Sequence, residues 1–129
     1  MGACYSVNIK LNLTDEDGAI KALNHHIASD SRTHYGLEKC AEIGVTTTNF
    51  DDLMRILLAE TQQKVSISKE GKFTIYDNGF NASYGWECVM IDWFNVLAPY
   101  LADGSQMLIY PDEDYDKLVI KNGKCVQIH

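Results

Sequence analysis

A chain of 129 residues, 46% of them hydrophobic, can bury one core that hides roughly two thirds of its unfolded surface and is too short for two ordinary domains, which predicts a single domain over residues 1–129. Eleven basic residues against eighteen acidic ones leave a net charge of −7, which repels phosphate and argues against direct binding to a nucleic-acid backbone. No run of about 18 apolar residues is present to span a bilayer, the N-terminus lacks the order of a signal peptide, and four cysteines without CxxC spacing read as reduced thiols, so a cytoplasmic location away from membranes is expected.

In chain order, Tyr5, Val7, Ile9, Leu11 and Leu13 alternate with polar residues, the period of a half-buried strand. The opening MGACYS also fits a myristoylation pattern, but a strand that begins within about three residues leaves little tether and no polybasic segment supports an anchor. Thr14 followed by Asp15, Glu16 and Asp17 opens a helix with Ile20, Leu23 and Ile27 on its buried stripe, ending near residues 29–31. A helical turn is expected from Leu37 to Ile43, closed by Gly44. A third helix follows, capped by Thr48 or Asn49, with Phe50, Leu53, Met54, Leu57 and Leu58 on a wide apolar face and an end near Thr61. Val65 and Ile67, a turn at Glu70-Gly71, and Phe73 and Ile75 spell a hairpin. Residues 77–83, DNGFNAS, carry turn formers and read as a loop whose last serine caps the next helix.

That next helix, within SYGWECVMIDWFNVLAPYL (83–101), is the main core former. At 100° per residue it gathers Trp86, Val89, Met90, Trp93, Phe94, Val96, Leu97, Tyr100 and Leu101 on one face and leaves Cys88, Asp92, Asn95 and Pro99 opposite. Pro99 weakens its last turn, and Asp103-Gly104 end it. A strand at 107–110, a second at 118–120 and a third at 125–128, the last two joined by Asn122-Gly123, form a C-terminal meander. The expected fold is α+β: an antiparallel sheet of an N-terminal strand, one hairpin and a three-stranded meander, packed against about three helices.

The chemical constellations are weak. Asp112, Asp114 and Asp116 have the opening spacing of a calcium loop, but Lys117 stands where glycine is needed and Gly123 where a bidentate glutamate is needed. His25 and His26 point about 100° apart on a helix and cannot chelate one ion from the same face. Cys88 lies on the polar side, beyond the reach of the helix N-terminus, and reads as a passive thiol. Glu87 and Asp92 project about 140° apart, too divergent for paired acid and base work. With no phosphate-loop, dinucleotide, zinc-protease or serine-hydrolase motif, the chain implies no catalytic residue, no metal and no cofactor, and is read as not being an enzyme.

Charge distribution says more. From Phe73 to Asp116 there is no lysine or arginine, while Asp77, Glu87, Asp92, Asp103, Asp112, Glu113, Asp114 and Asp116 supply eight negative charges. Brought onto one surface, these residues would attract a basic partner. Scattered, they would only keep the chain soluble.

Within the same region the segment FNASYGWECVMIDWFNVLAPYLADGSQMLIYPD, residues 80–112, resembles a family of small uncharacterised proteins of bacteria and their mobile elements, in which YGWE opens the helix and APYLADGS closes it. The resemblance spans about a quarter of the chain and implies an accessory role. Small acidic proteins of mobile elements include inhibitors of bacterial defence nucleases (anti-CRISPR-like), some of which imitate nucleic acid. The reading is therefore a non-enzymatic acidic protein that binds a basic partner protein through the eight carboxylates. The alternative is a small enzyme or ligand-binding domain with a pocket near residues 77–84. Exposure of the apolar face between Phe50 and Ala59 would in addition allow two copies to pair.

Overall fold

A computed structural model describes residues 2–30, 32, 37, 38, 41, 42, 44–60, 64–83, 85–111 and 116–128. Its fold is α+β. The alternating N-terminal segment forms β1 (Gly2–Leu11), which starts at the second residue and pairs there with Ser83. Helix α1 (Glu16–Ser29) follows, then α2 (Phe50–Leu57), with helical backbone also at residues 37, 38, 41 and 42. The hairpin β2 (Ser66–Glu70) and β3 (Phe73–Ser83) leads into α3 (Trp86–Leu97), which tightens into a 3-10 turn at Ala98–Tyr100 around Pro99. The meander β4 (Gln106–Pro111), β5 (Asp116–Lys121) and β6 (Lys124–Ile128) closes the fold.

All six strands form one antiparallel sheet in the order β2-β3-β1-β4-β5-β6. The first strand of the chain is therefore central. Its side chains Tyr5, Val7, Ile9 and Leu11 are buried, whereas Ser6 on the other face is exposed and Asn8 and Lys10 are half-buried. Register carries this alternation across the sheet: Tyr76, Asn78 and Phe80 on β3, Met107 and Ile109 on β4, and Leu118 and Ile120 on β5 share the inner face. The helices cover that face alone. Asn78 Nδ2 donates to Leu58 O (2.7 Å), and Trp86 Nε1 donates to Leu57 O (2.9 Å), so the end of α2 is tied to both the sheet and α3.

Several local expectations are corrected. Residues 77–83 are not a loop but the second half of β3, paired with β1 from Ser83 back to Asp77. Their turn propensity is overridden because a ten-pair ladder with a central strand satisfies the backbone, Asn78 finds a carbonyl inside the core, and Phe80 packs on Tyr5 with ring centroids 5.7 Å apart. Accordingly α3 is capped not by Ser83 but by Gly85, whose φ of 96° suits glycine and which offers no side-chain bond. At α1 the capping side chain is Asp15, which accepts from Gly18 N–H, rather than Thr14. Asn49 caps α2 as expected, and that helix stops at Leu57, earlier than Thr61, which lies outside the described residues. The apolar face of α2 is turned inward: Phe50, Leu53, Met54, Ile56, Leu57 and Leu58 are each at most 2% exposed, so the surface on which pairing of two copies rested is internal.

The central helix buries Trp86, Val89, Met90, Trp93, Phe94 and Leu97, and leaves Cys88, Asn95 and Pro99 exposed. Asn122 and Gly123 both take positive φ (53° and 72°), the conformation of a tight two-residue hairpin.

Asn78 and Asp77 are adjacent in sequence but on opposite faces, so their substitutions separate. Asn78→Ala leaves the Leu58 carbonyl unpaired in the core and is expected to cost about 1–3 kcal/mol. Asp77→Ala on the solvent face should stay within about 0.5 kcal/mol. Urea denaturation of both variants checks this, and equal losses would contradict the register of β3.

Candidate functional site

Of the eight carboxylates of residues 73–116, the five among the described residues lie in different parts of the molecule. Asp77 lies on the open face of the sheet between Asn8 and Ser66. Glu87 and Asp92 lie on α3, on the helical side. Asp103 sits in the turn after the 3-10 segment, where its Oδ1 accepts from Asn122 N–H (2.8 Å) and so braces the β5-β6 turn. Asp116 begins β5 opposite Ile109, and Asp112, Glu113 and Asp114 lie outside the described residues. Glu87 and Asp92 thus share a layer, and Asp77 faces away from them.

A different grouping emerges from the fold. The segments that carry the helices, residues 14–63 and 84–103, hold twelve acidic residues against four basic, a net of −8. The segments that carry the strands, residues 1–13, 64–83 and 104–129, hold six acidic against seven basic, a net of +1. Counted by segment, the chain's net negative charge therefore falls in the stretches that contain the helices. The sequence signal was available, but reading charge by contiguous stretch rather than by layer concealed it.

Two of the four helical-side cations are already engaged. Arg32 binds Asp30 through Nε and Nη2 and reaches Asp92 on α3. Its guanidinium holds the Asp30 carboxyl well down, to about 2, with burial opposing and His26 adding slightly. Arg55 bridges Asp52 and Glu60. Burial pushes Asp52 up, but the N–H and hydroxyl of Thr46 together with Arg55 bring it below its ordinary value. The acids of the first helical turns, Asp15, Glu16 and Asp17, are exposed, as are Glu38 and Glu42.

At one end of the sheet lies a cleft of about 370 Å³. It is assembled from the end of β1 (Leu11, with Asn12 and Leu13 beyond it), Glu16 of α1, Asp51 of α2, and the β2-β3 hairpin with Lys69, Lys72, Thr74 and Tyr76. Tyr76 Oη donates to Asp51 Oδ1 (2.6 Å). Burial, that hydrogen bond and the charges of Asp51 and Glu16 push the phenol well above its ordinary range, so it remains a donor. Lys69 Nζ donates to Thr74 Oγ1 (2.8 Å). In the sequence each of these residues has a local explanation, a helix-start carboxylate, a strand position or a turn lysine, and nothing joins them. Tyr76 of the cleft directly precedes the segment 77–84 near which a pocket was expected, and no residue of that segment lines the cleft.

Among the described residues, no group of three or more His, Cys, Asp or Glu side chains is placed to hold a metal ion. Cys4, Cys88 and Cys125 form no disulfide, and Cys4 Sγ meets Asn81 Oδ1 at 2.9 Å; Cys40 lies outside the described residues. No described helix is long and apolar enough to cross a membrane. Comparison with known proteins finds no matching family model, no matching curated protein and no matching solved structure.

Because Asp30 is depressed in the fold from an ordinary value of 3.8 to about 2, its stabilising contribution is complete above about pH 3.8 and is lost as pH falls towards 2. Carboxyl NMR titration should show Asp30 titrating near 2, and Arg32→Leu should return it to the ordinary carboxylate range; an unchanged Asp30 in that variant would remove Arg32 as the cause.

Proposed function

We propose that the chain is a non-enzymatic binding protein whose acidic helical side engages a basic partner protein. The observation that carries this reading is the partition of charge by segment: −8 on the segments bearing the helices and +1 on those bearing the strands. A charge so divided makes a directional field, which orients a basic partner towards the helices before contact and speeds encounter. The lysines support the same direction. Lys10, Lys117, Lys121 and Lys124 belong by register to the solvent side of the sheet, so a basic partner is repelled from that side as it is drawn to the other.

The partner that fits is a protein whose own basic groove accepts nucleic acid, with the acidic helical side standing in for phosphates. This agrees with the accessory, nuclease-inhibiting role implied by the likeness of residues 80–112 to small proteins of mobile elements. A rim of exposed charges contributes more to encounter rate and orientation than to affinity, so the interaction depends on ionic strength.

The combined substitution Asp17→Asn, Glu38→Gln, Glu42→Gln and Glu87→Gln removes four charges without touching a cap or an ion pair among the described residues. In affinity capture from a bacterial lysate, the unsubstituted chain should retain a basic protein that about 0.5 M salt releases, where screening falls to a few ångström. The fourfold variant should lose that protein and Asp77→Asn should keep it. Retention indifferent both to salt and to the four substitutions would overturn the reading.

A further inference from the structure

From the cleft at the sheet end we infer a binding site for a small zwitterion, a molecule carrying an ammonium group and a carboxylate, which uses Glu16 and Asp51 of the helical side together with two lysines of the hairpin. Its volume of about 370 Å³ lies within the range of small-molecule sites, roughly 300–1,000 Å³. Its walls carry charge of both signs: Glu16 and Asp51 come from the starts of two helices, and Lys69 and Lys72 from one hairpin. With two carboxylates and two ammonium groups the cleft is formally neutral. A purely anionic ligand would meet Glu16 and Asp51, and a purely cationic one would meet the lysines, whereas a molecule bearing both charges complements both.

The bonding capacity left in the cleft agrees. Tyr76 Oη uses one oxygen of Asp51, and among the described residues no other donor reaches that carboxylate. Glu16 and Lys72 neither hydrogen-bond nor ion-pair with any described side chain, and Lys69 has given one of its three donors to Thr74. The ligand ammonium is assigned to the free oxygen of Asp51 and to Glu16, and the ligand carboxylate to Lys69 and Lys72. Leu11 and Leu13 supply the apolar wall against which a short methylene chain lies. Tyr76 is itself only 2% exposed, and its bond to Asp51 holds the acidic end in place before a ligand arrives.

The length of the ligand is open to measurement with ω-amino acids, which separate the same two charges by an increasing number of methylenes. Amide NMR titration of the full chain with glycine, β-alanine, 4-aminobutyrate, 5-aminopentanoate and 6-aminohexanoate is expected to move the resonances of Glu16, Asp51, Lys72 and Thr74 for one member or two neighbours of the series. The matched amine and matched carboxylic acid, each lacking one charge, should bind at least about threefold more weakly, as expected for loss of a solvent-accessible ion pair. Lys72→Met, at an exposed turn position, and Glu16→Gln should each weaken the preferred member by a similar factor without disturbing the fold, whereas Asp51→Asn also loosens Tyr76 and is read only alongside them. Absence of shifts for the whole series, an amine or acid that binds as well as the zwitterion, or shifts unaltered by both Lys72→Met and Glu16→Gln would each overturn the site. The result is separate from capture of a basic protein, since none of the four substitutions on the helical side lies in the cleft.

Discussion

The position of β1 is the constraint on which everything else rests. It is the first strand made and the only one hydrogen-bonded on both sides to strands from distant parts of the chain, β3 through ten pairs and β4 through six. The fold therefore cannot close locally. Residues 2–11 must wait for residues 73–83 and 106–111, and the two hairpin systems on either side are joined into one sheet only through them. Loop-closure entropy has to be overcome before the long-range contacts reward it, so folding is expected to be slower than for a chain of this size built from local hairpins. What offsets the cost is burial: Tyr5, Val7, Ile9 and Leu11 are at most 2% exposed, and each contributes on the order of 1.5–3 kcal/mol once its apolar surface leaves water.

Because the described helices α1, α2 and α3 pack on one side of that sheet, the chain's local preferences sort its charges without any further requirement. Helix starts favour carboxylates, through capping of free N–H groups and through the dipole, and the three helices begin with Asp15-Glu16-Asp17, Asp51-Asp52 and Glu87. Strands β2 and β6 lie at the ends of the sheet, without a further strand among the described residues, and Lys69 and Lys124 on them discourage edge-to-edge association. Acid accumulates on one layer and lysine on the other. The charge asymmetry thus has an origin in folding, and the field it creates is the same whatever its origin.

Element types were readable from residue patterns, because periodicity reports which side chains face a core. The apolar stripe of α3, the alternation of β1 and the Asn122-Gly123 turn all describe contacts within a few residues. Strand order was not readable: nothing in Tyr5 to Leu11 says that β3 and β4 rather than β2 or β6 lie beside it. The segment DNGFNAS misled for the same reason. Its composition states what it would do alone, and its conformation is decided by β1 and by the carbonyl of Leu58. The carboxylates of residues 73–116 were contiguous in sequence, yet strand β3 sends Asp77 to one side of the sheet while α3 holds Glu87 and Asp92 on the other. The cleft was hidden most completely, since its polar groups come from the starts of two helices and from one hairpin.

The bond between Tyr76 and Asp51 shows how structure and binding capacity come from one interaction. A buried phenol without a partner costs about 1–3 kcal/mol, so the carboxylate of Asp51 is needed by the fold. A carboxylate, however, has two oxygens and the phenol supplies one proton. Satisfying the core therefore leaves a second carboxylate oxygen in a cleft that Glu16 and two lysines also line. Neutralising Asp51 from within, by a third cation in the cleft, would have ended its capacity to bind anything. The lysines instead lie on the hairpin, where Lys69 is held by a neutral hydroxyl of Thr74. Opposite charges that share a cleft without pairing among the described residues keep their desolvation cost low and their attraction available, the arrangement that a ligand with two charges, rather than one, can exploit.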